Sequence, residues 1–157
     1  MLGKCVGDSL SDEETGWLKA FLRYNHPDLQ WDPARDSATV FQRALYHSEL
    51  HSELYTQVRT RSSVNIALSY AEGVYYGTVH KFFLLQINGQ KLRVALVSSY
   101  PAVPALPSEV PGLPRINLNK PFKLGRIVNV NAILNKVLLA GPSHRTSVIP
   151  VPQKKSM

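Results

Sequence analysis

The apolar residues follow a helical spacing near the N-terminus. Ser11 and Glu14 form a capping-box pattern, which satisfies the free backbone N–H groups at a helix start. The apolar stripe after it predicts a helix that Pro27 ends. A second helix is predicted from about Ser37. Its apolar face would comprise Val40, Phe41, Ala44 and Leu45.

After residue 62 the apolar positions alternate, which is typical of strands. Val64, Ile66, Leu68 and Tyr70 predict a half-buried strand. Asn88-Gly89 then lies between two apolar runs and predicts a hairpin over residues 79–98. One face would hold the pairs Leu85–Leu92 and Phe83–Val94. The other face would hold Gln86–Lys91, Leu84–Arg93, Phe82–Ala95 and His80–Val97, and would be either covered or used for binding.

The last third of the chain alternates between proline-rich and strand-like segments. Five prolines between Pro101 and Pro114 predict a loop or a partner-facing arm. A strand is predicted over Arg126–Val130, residues 132–139 are compatible with helix or strand, and Val148–Val151 is predicted as an edge strand.

These elements predict an α+β fold in which N-terminal helices pack on a small antiparallel β-barrel or partly open sheet. The expected organisation is a helical segment over residues 1–50, a β-rich barrel-like module over residues 51–152 and a disordered tail over residues 153–157. An apolar fraction of 44% suits a folded domain. No apolar run approaches the roughly 20 residues of a membrane-spanning helix, so no membrane association is expected.

The net charge of +7 is unevenly distributed. Residues 1–72 contain ten acidic and seven basic side chains, whereas residues 73–157 contain eleven basic side chains and one acid, Glu109. The balances are therefore −3 and +10. The positive electrostatic field of residues 73–157 attracts polyanions such as nucleic acid. The alternative is that these cations only keep a β-rich surface soluble.

Candidate chemistry in the sequence is sparse. His47 and His51 have a metal-compatible helical spacing, but no third ligand follows, and solvated helix surface explains them better. No Gly-x-Ser-x-Gly elbow or phosphate-binding glycine motif occurs, and Cys5 is the single cysteine, which suits a reducing compartment. We therefore expect no catalytic activity, no metal, no cofactor and no small-molecule substrate.

Basic residues interleaved with aromatic ones are the remaining pattern. Tyr76, His80 and Phe82 could share a sheet face with the hairpin cations, as in platforms that stack nucleobases. In the alternative, Phe82 and Leu84 lie under the N-terminal helices and leave only the cations exposed. Phe122 lies among further cations. The candidate nucleic-acid-binding residues are Arg59, Arg61, Lys91, Arg93, Lys120, Lys123 and Arg126.

Residues 50–139 resemble a region downstream of the catalytic domain in proteins of CACTA-like and related eukaryotic DNA transposons. The residues that carry the resemblance are Ser52-Glu53-Leu54-Tyr55, Arg61-Ser62-Ser63, Tyr76-Gly77-Thr78-Val79, Phe82-Phe83, Ala95-Leu96-Val97 and the apolar stretch 127–133. The Tyr-Gly-x-Val phrase with two phenylalanines is also similar to bromo-adjacent homology domains, which are β-barrel chromatin readers.

Both resemblances imply a nuclear, non-catalytic module that works on chromatin, DNA or a protein bound there. Because these 157 residues include no transposase catalytic domain, an isolated or truncated copy is expected. The leading expectation is therefore nucleic-acid or chromatin binding through the basic part. The alternatives are a protein-interaction module that uses the proline-rich arm and a sheet edge, and a mobile-element remnant without activity. Oligomeric state is left open.

Overall fold

A computed structural model of the chain describes residues 2–7, 10–46, 48–52, 65–70, 73–109, 112–120 and 123–150. In these residues one α-helix accompanies a largely antiparallel sheet. The elements are β1 (Leu2–Gly7), α1 (Asp12–Asn25), β2 (Ser37–Tyr46), β3 (Ser48–His51), β4 (Asn65–Tyr70), β5 (Gly73–Ile87), β6 (Gln90–Tyr100), β7 (Arg115–Ile116), β8 (Lys123–Asn129), β9 (Ile133–Ala140) and β10 (Thr146–Pro150). Short 3₁₀ turns cover Val130–Ala132 and Ser143–Arg145.

The long strand β5 organises the sheet. One edge of β5 pairs with β6 from Tyr76 to Ile87, and β6 pairs in turn with β8. The other edge of β5 is shared, since its first half pairs with β4 and its second half with β2. β4 continues through β9 and β10 to the short β7. The result is a curled half-barrel, which confirms the barrel-like sheet in the α+β prediction.

The hairpin prediction is confirmed. Ile87 pairs with Gln90, and the register that follows places Leu85 opposite Leu92 and Phe83 opposite Val94. Asn88 and Gly89 both have positive φ angles, of 50° and 80°. Such angles at both central residues match the twist of the two strands, and asparagine and glycine adopt them at low cost.

One pair of that register is wrong. His80 does not face Val97, because a β-bulge at His80 makes Val79 the partner of Val97 and Lys81 the partner of Leu96. An extra residue in one strand reverses which residues face each side of the sheet. A side chain before the bulge therefore lies on the opposite face from the side chains beyond the bulge that strict alternation would place beside it.

The predicted second helix is also wrong. The described residues contain one α-helix, where the predicted fold had several N-terminal helices. Residues 37–46 form β2, which pairs with β1, β3 and β5. The segment contains Thr39, Val40 and Phe41, and β-branched and aromatic side chains suit a pleated surface. Pairing with β5 decides between the two structures, so the described part of residues 2–51 contributes one helix and three strands.

Two apolar clusters lie on opposite sides of the β5–β6 pair. On one side α1 packs its buried Leu18, Phe21 and Leu22 over the hairpin residues Phe83 and Val94. On the other side Phe82, Ala95 and Val97 pack inside the curled sheet. Burying one phenylalanine contributes roughly 1.5–3 kcal/mol, so the hairpin is stabilised from both sides. A third cluster lies under β7, β9 and β10.

Candidate nucleic-acid interface

Four strands of the sheet carry charge of one sign. β5, β6, β8 and β9 contain no aspartate or glutamate. Their lysines and arginines are Lys81, Lys91, Arg93, Lys123, Arg126 and Lys136. A surface with cations and no acids has a positive potential that favours phosphate contacts.

The first group of predicted residues, Lys91 and Arg93, lies at the tip of the hairpin. Both side chains are exposed, and residues two apart on a strand point to the same side. Their partners across the hairpin are Gln86 and Leu84, which are uncharged. We call Lys91 and Arg93 the tip group. Its geometry allows two adjacent contacts to a phosphate backbone.

A buried carboxylate holds the tip in place. The Asp36 side chain, only 1% exposed, accepts a hydrogen bond of 3.0 Å from the backbone N–H of Asn88 in the turn. The Arg35 guanidinium, at 2.9 Å, holds the pKa of Asp36 far below its usual range, and the N–H groups of Asn88 and Asp32 act in the same direction. Asp36 therefore remains ionised and fastens the turn to the loop before β2.

The second group of predicted residues lies at the start of β8. Lys120 is exposed in the preceding turn, Lys123 begins the strand opposite Ser99, and the half-buried Arg126 pairs with Val97. We call these three residues the β8 group. Asn117 shapes the turn before it, since its side-chain oxygen accepts from the N–H of Asn119 at 2.9 Å.

The structure does not bring the two groups into one cluster. Lys91 and Ser99, the partner of Lys123, are eight residues apart on β6, or about 27 Å at ~3.4 Å per residue. Between them the side of the sheet that carries Arg93 holds Ala95 and Val97, which are buried. A separation of about 27 Å matches about eight phosphates along one strand of a duplex, at ~3.4 Å each. The two groups thus suit an extended polyanion better than a single phosphate.

The predicted aromatic platform is wrong. Phe82 has no exposed surface, because it packs in the cluster inside the curled sheet. Tyr76 packs in the third apolar cluster against Ala67 and Val137. The bulge at His80 explains the error, since it separates residues that strict alternation places on one face. The alternative in which α1 covers Phe82 is wrong too, because α1 covers Phe83.

Two of the eleven cations after residue 72 are tied to the single acid of that region. Glu109 forms ion pairs with Arg115, whose Nε lies 2.6 Å from Oε2, and with Arg145. Their side chains are 17% (Glu109), 9% (Arg115) and 19% (Arg145) exposed. We call this set the Glu109 clamp. Sequence reasoning missed it, although a lone acid among eleven cations was a visible indication.

The clamp fastens the proline-rich segment to the sheet. Arg145 also donates to the carbonyl of Pro104 at 2.8 Å, and Leu106 N–H donates to Glu109 Oε1 at 2.7 Å. Val103 N–H donates to the carbonyl of Arg115, and Ala102 forms a bridge with Ile116. The described residues of this segment are therefore bound to the domain, and Leu106 remains exposed at its surface.

A third cation is neutralised on the helix side. Lys81 Nζ lies 2.9 Å from Glu14 Oε2, and the Glu14 side chain is 7% exposed. Burial raises the pKa of Glu14, but hydrogen bonds from the Ser11 N–H and from Lys81 outweigh burial and hold that pKa below its ordinary value. Glu14 is also the reciprocal residue of the capping box. One buried carboxylate thus begins the helix and joins it to the sheet.

The bulge also creates a contact that the sequence did not indicate. His80 Nε2 lies 2.6 Å from Ser98 Oγ, the distance of a base from a nucleophile. Ser98 is 3% exposed in the middle of β6, so its hydroxyl has little access to a substrate. Among the described residues no three His, Cys, Asp or Glu side chains are grouped as metal ligands.

Several expectations fall outside the described residues. These are the cations Arg59 and Arg61, His47, Phe122 and the tail after Pro150. Within the described ranges no helix is both long and apolar enough to cross a membrane. Comparison of the chain with protein-family models, with curated proteins and with solved structures gives no match.

Proposed function

We propose that this chain is a non-catalytic nucleic-acid-binding module. The observation that carries the proposal is the charge of four strands of the sheet, β5, β6, β8 and β9, which hold lysine and arginine but no acid. The tip group and Lys120 are exposed. Phosphates neutralised by such side chains release counterions, and this release drives binding without sequence specificity.

The mode of binding follows from the positions of the two groups. An extended nucleic acid runs along β6, with phosphates at the tip group and at the β8 group. Arg59 and Arg61, which precede β4 in sequence, add to the positive charge. The proposed setting is nuclear, on DNA or chromatin, within a protein derived from a mobile element.

A titration with short duplex and single-stranded oligonucleotides at two salt concentrations tests this proposal. The logarithm of the affinity should fall linearly with the logarithm of salt concentration, and each of Lys91→Ala, Arg93→Ala, Lys120→Ala, Lys123→Ala and Arg126→Ala should reduce that slope by roughly 0.9 for duplex. The matched control is Lys19→Ala, which removes an exposed cation from α1 and not from the sheet. Its slope should equal that of the unaltered chain.

Two outcomes contradict the proposal. Absence of binding at low salt would exclude it, because electrostatic attraction is strongest there. Binding that tolerates these substitutions but is lost on changes to exposed residues of the proline-rich segment, such as Leu106→Ser, would instead favour the protein-interaction alternative. Leu106 is the observation that supports that alternative, since it is an apolar side chain left at the surface of the clamped segment.

A further inference from the structure

A groove separates the last turn of α1 from the end of β8. Its volume is about 420 Å³, within the ~300–1,000 Å³ of small-molecule pockets. Its lining includes Tyr24, Asn25, Ser69, Ile127, Asn129 and Asn131. None of the described residues that line it has a charged side chain.

The wall contributed by α1 offers a free aromatic ring. Tyr24 is 84% exposed, the highest value among the exposed large apolar side chains of the described residues. The preceding turn of the helix contributes Phe21, which is buried in the core and makes this wall rigid. An exposed ring on a rigid wall is the arrangement that stacks an unpaired base.

The opposite wall offers amide groups. The side chains of Asn129 and Asn131 form no hydrogen bond with any described residue. The Asn25 amide donates to the carbonyl of Phe21 at 3.1 Å, which leaves its side-chain oxygen available. Each asparagine presents a donor beside an acceptor, the combination that pairs with the edge of a nucleobase.

A cation adjoins the helix wall of the groove. Arg23 precedes Tyr24 and is exposed, whereas Arg126 lies on the other face of the sheet from Ile127, because successive side chains on a strand alternate. A neutral groove beside Arg23 suits a nucleotide better than a neutral peptide, because the base is neutral and its phosphates are not.

We propose that this groove binds an unpaired nucleobase, stacked on Tyr24 and contacted at its edge by Asn129 or Asn131. The proposal rests on the proposed nucleic-acid function and adds to it a preference for single strands. Bases in a duplex are stacked on one another and cannot enter the groove. The cations supply affinity for either form, and the groove distinguishes between them.

Binding of the full chain to a single-stranded oligonucleotide tests the groove, with a duplex and an abasic single strand as companion probes. Tyr24→Ala should weaken binding of the single strand roughly 5- to 150-fold, the loss that one base–aromatic stack gives on alanine substitution. Binding of the duplex and of the abasic strand should not change, nor should the salt slope. Tyr24→Phe, which keeps the ring, should bind like the unaltered chain.

The matched control is Val74→Ala, an exposed apolar residue on β5 that lies outside this groove. Because Tyr24 is exposed on a helix, its replacement by alanine leaves the fold intact, which unchanged thermal unfolding verifies.

Equal binding of the single strand by Tyr24→Ala and the unaltered chain would overturn the inference and leave the proposed function standing. Failure of every probe to bind at low salt would overturn both proposals.

Discussion

Cations of the same sequence region have two different roles in this domain. At the Glu109 clamp, Arg115 and Arg145 are largely buried and share one carboxylate. At the hairpin tip, Lys91 and Arg93 are exposed on a strand without acids. The first pair stabilises the domain, and the second pair lies at the surface, where Lys91 can contact a partner.

The comparison shows that net charge overstates the available positive surface. The balance of +10 after residue 72 includes two arginines paired to Glu109 and one lysine paired to Glu14. Desolvating a cation is unfavourable unless an anion accompanies it, so the position of the few acids decides which cations can be buried. The exposed Lys91 and Lys120 keep their water and can exchange it for phosphate.

The largest expected effect comes from removing the shared anion of the clamp. Glu109→Gln removes the counter-charge of two arginines at once and weakens the hydrogen bond to Leu106 N–H. The thermal unfolding midpoint should fall by more than for any other variant considered below. Glu13→Gln, which removes an exposed acid from α1, is the control and should cause only a small change.

Acid should reproduce this effect in the unaltered chain. The guanidinium of Arg145, followed by Leu106 N–H and the charge of Arg115, lowers the pKa of Glu109 from its ordinary 4.5. A carboxyl with a lowered folded pKa stabilises the native state above its unfolded value and loses that contribution as pH falls through the folded value. Stability should therefore begin to decline near pH 4.5 and fall further below it. The thermal unfolding midpoint should be measured against pH for Glu109→Gln and for the unaltered chain. An equally steep decline of both midpoints below pH 4.5 would show that other carboxylates dominate the acid response.

An effect of intermediate size is expected for Lys81 and not for Lys91, ten residues further along the same hairpin. The two lysines should differ in their contribution to the free energy of unfolding. Lys81→Met leaves the nearly buried Glu14 carboxylate without its cation, and a charged group so left unsatisfied costs roughly 1–3 kcal/mol. Lys91→Met alters an exposed side chain and should stay within about 0.5 kcal/mol. Chemical denaturation of both variants measures the difference. Equal free energies of unfolding would show that the ion pair with Glu14 adds nothing.

The smallest expected effect concerns the turn that presents the tip group. Gly89→Ala places a Cβ at a φ of 80° and should destabilise the fold by about 1 kcal/mol. Gly16→Ala is the matched control, because that helical glycine has no atom within 4 Å of an added Cβ. It should instead stabilise the fold by roughly 0.5–1 kcal/mol. A change of the same sign in the free energy of unfolding of both variants would contradict the role assigned to the turn.

The sequence alone predicted the elements whose local chemistry is decisive. The capping box located α1, and Asn88-Gly89 located the hairpin with its register as far as Phe82. Prediction from the sequence failed over residues 37–46, where an apolar spacing compatible with a helix occurs in a strand. Pairing with β5 is a contact between segments more than 40 residues apart, and no local pattern reports it.

The candidate site divides in the same way. The sequence placed Lys91 and Arg93 beside each other, because residues two apart on a strand share a side. It did not show that the β8 group lies at the far end of β6, because that distance depends on the pairing of β8 with β6. The groove beside Tyr24 combines α1, the end of β4 and the end of β8, which are distant in sequence.

What the sequence by itself determined about this protein is therefore local. The helix cap, the hairpin turn, the alternating strands and the sign of the charge follow from neighbouring residues and composition. Only the tertiary structure decided which cations are neutralised, because ion pairs such as Lys81–Glu14 join residues 67 positions apart. It alone also decided which aromatic rings are exposed. One inserted residue at His80 reverses the sides of β5, and burial of Phe82 but not Tyr24 depends on which elements close over each face.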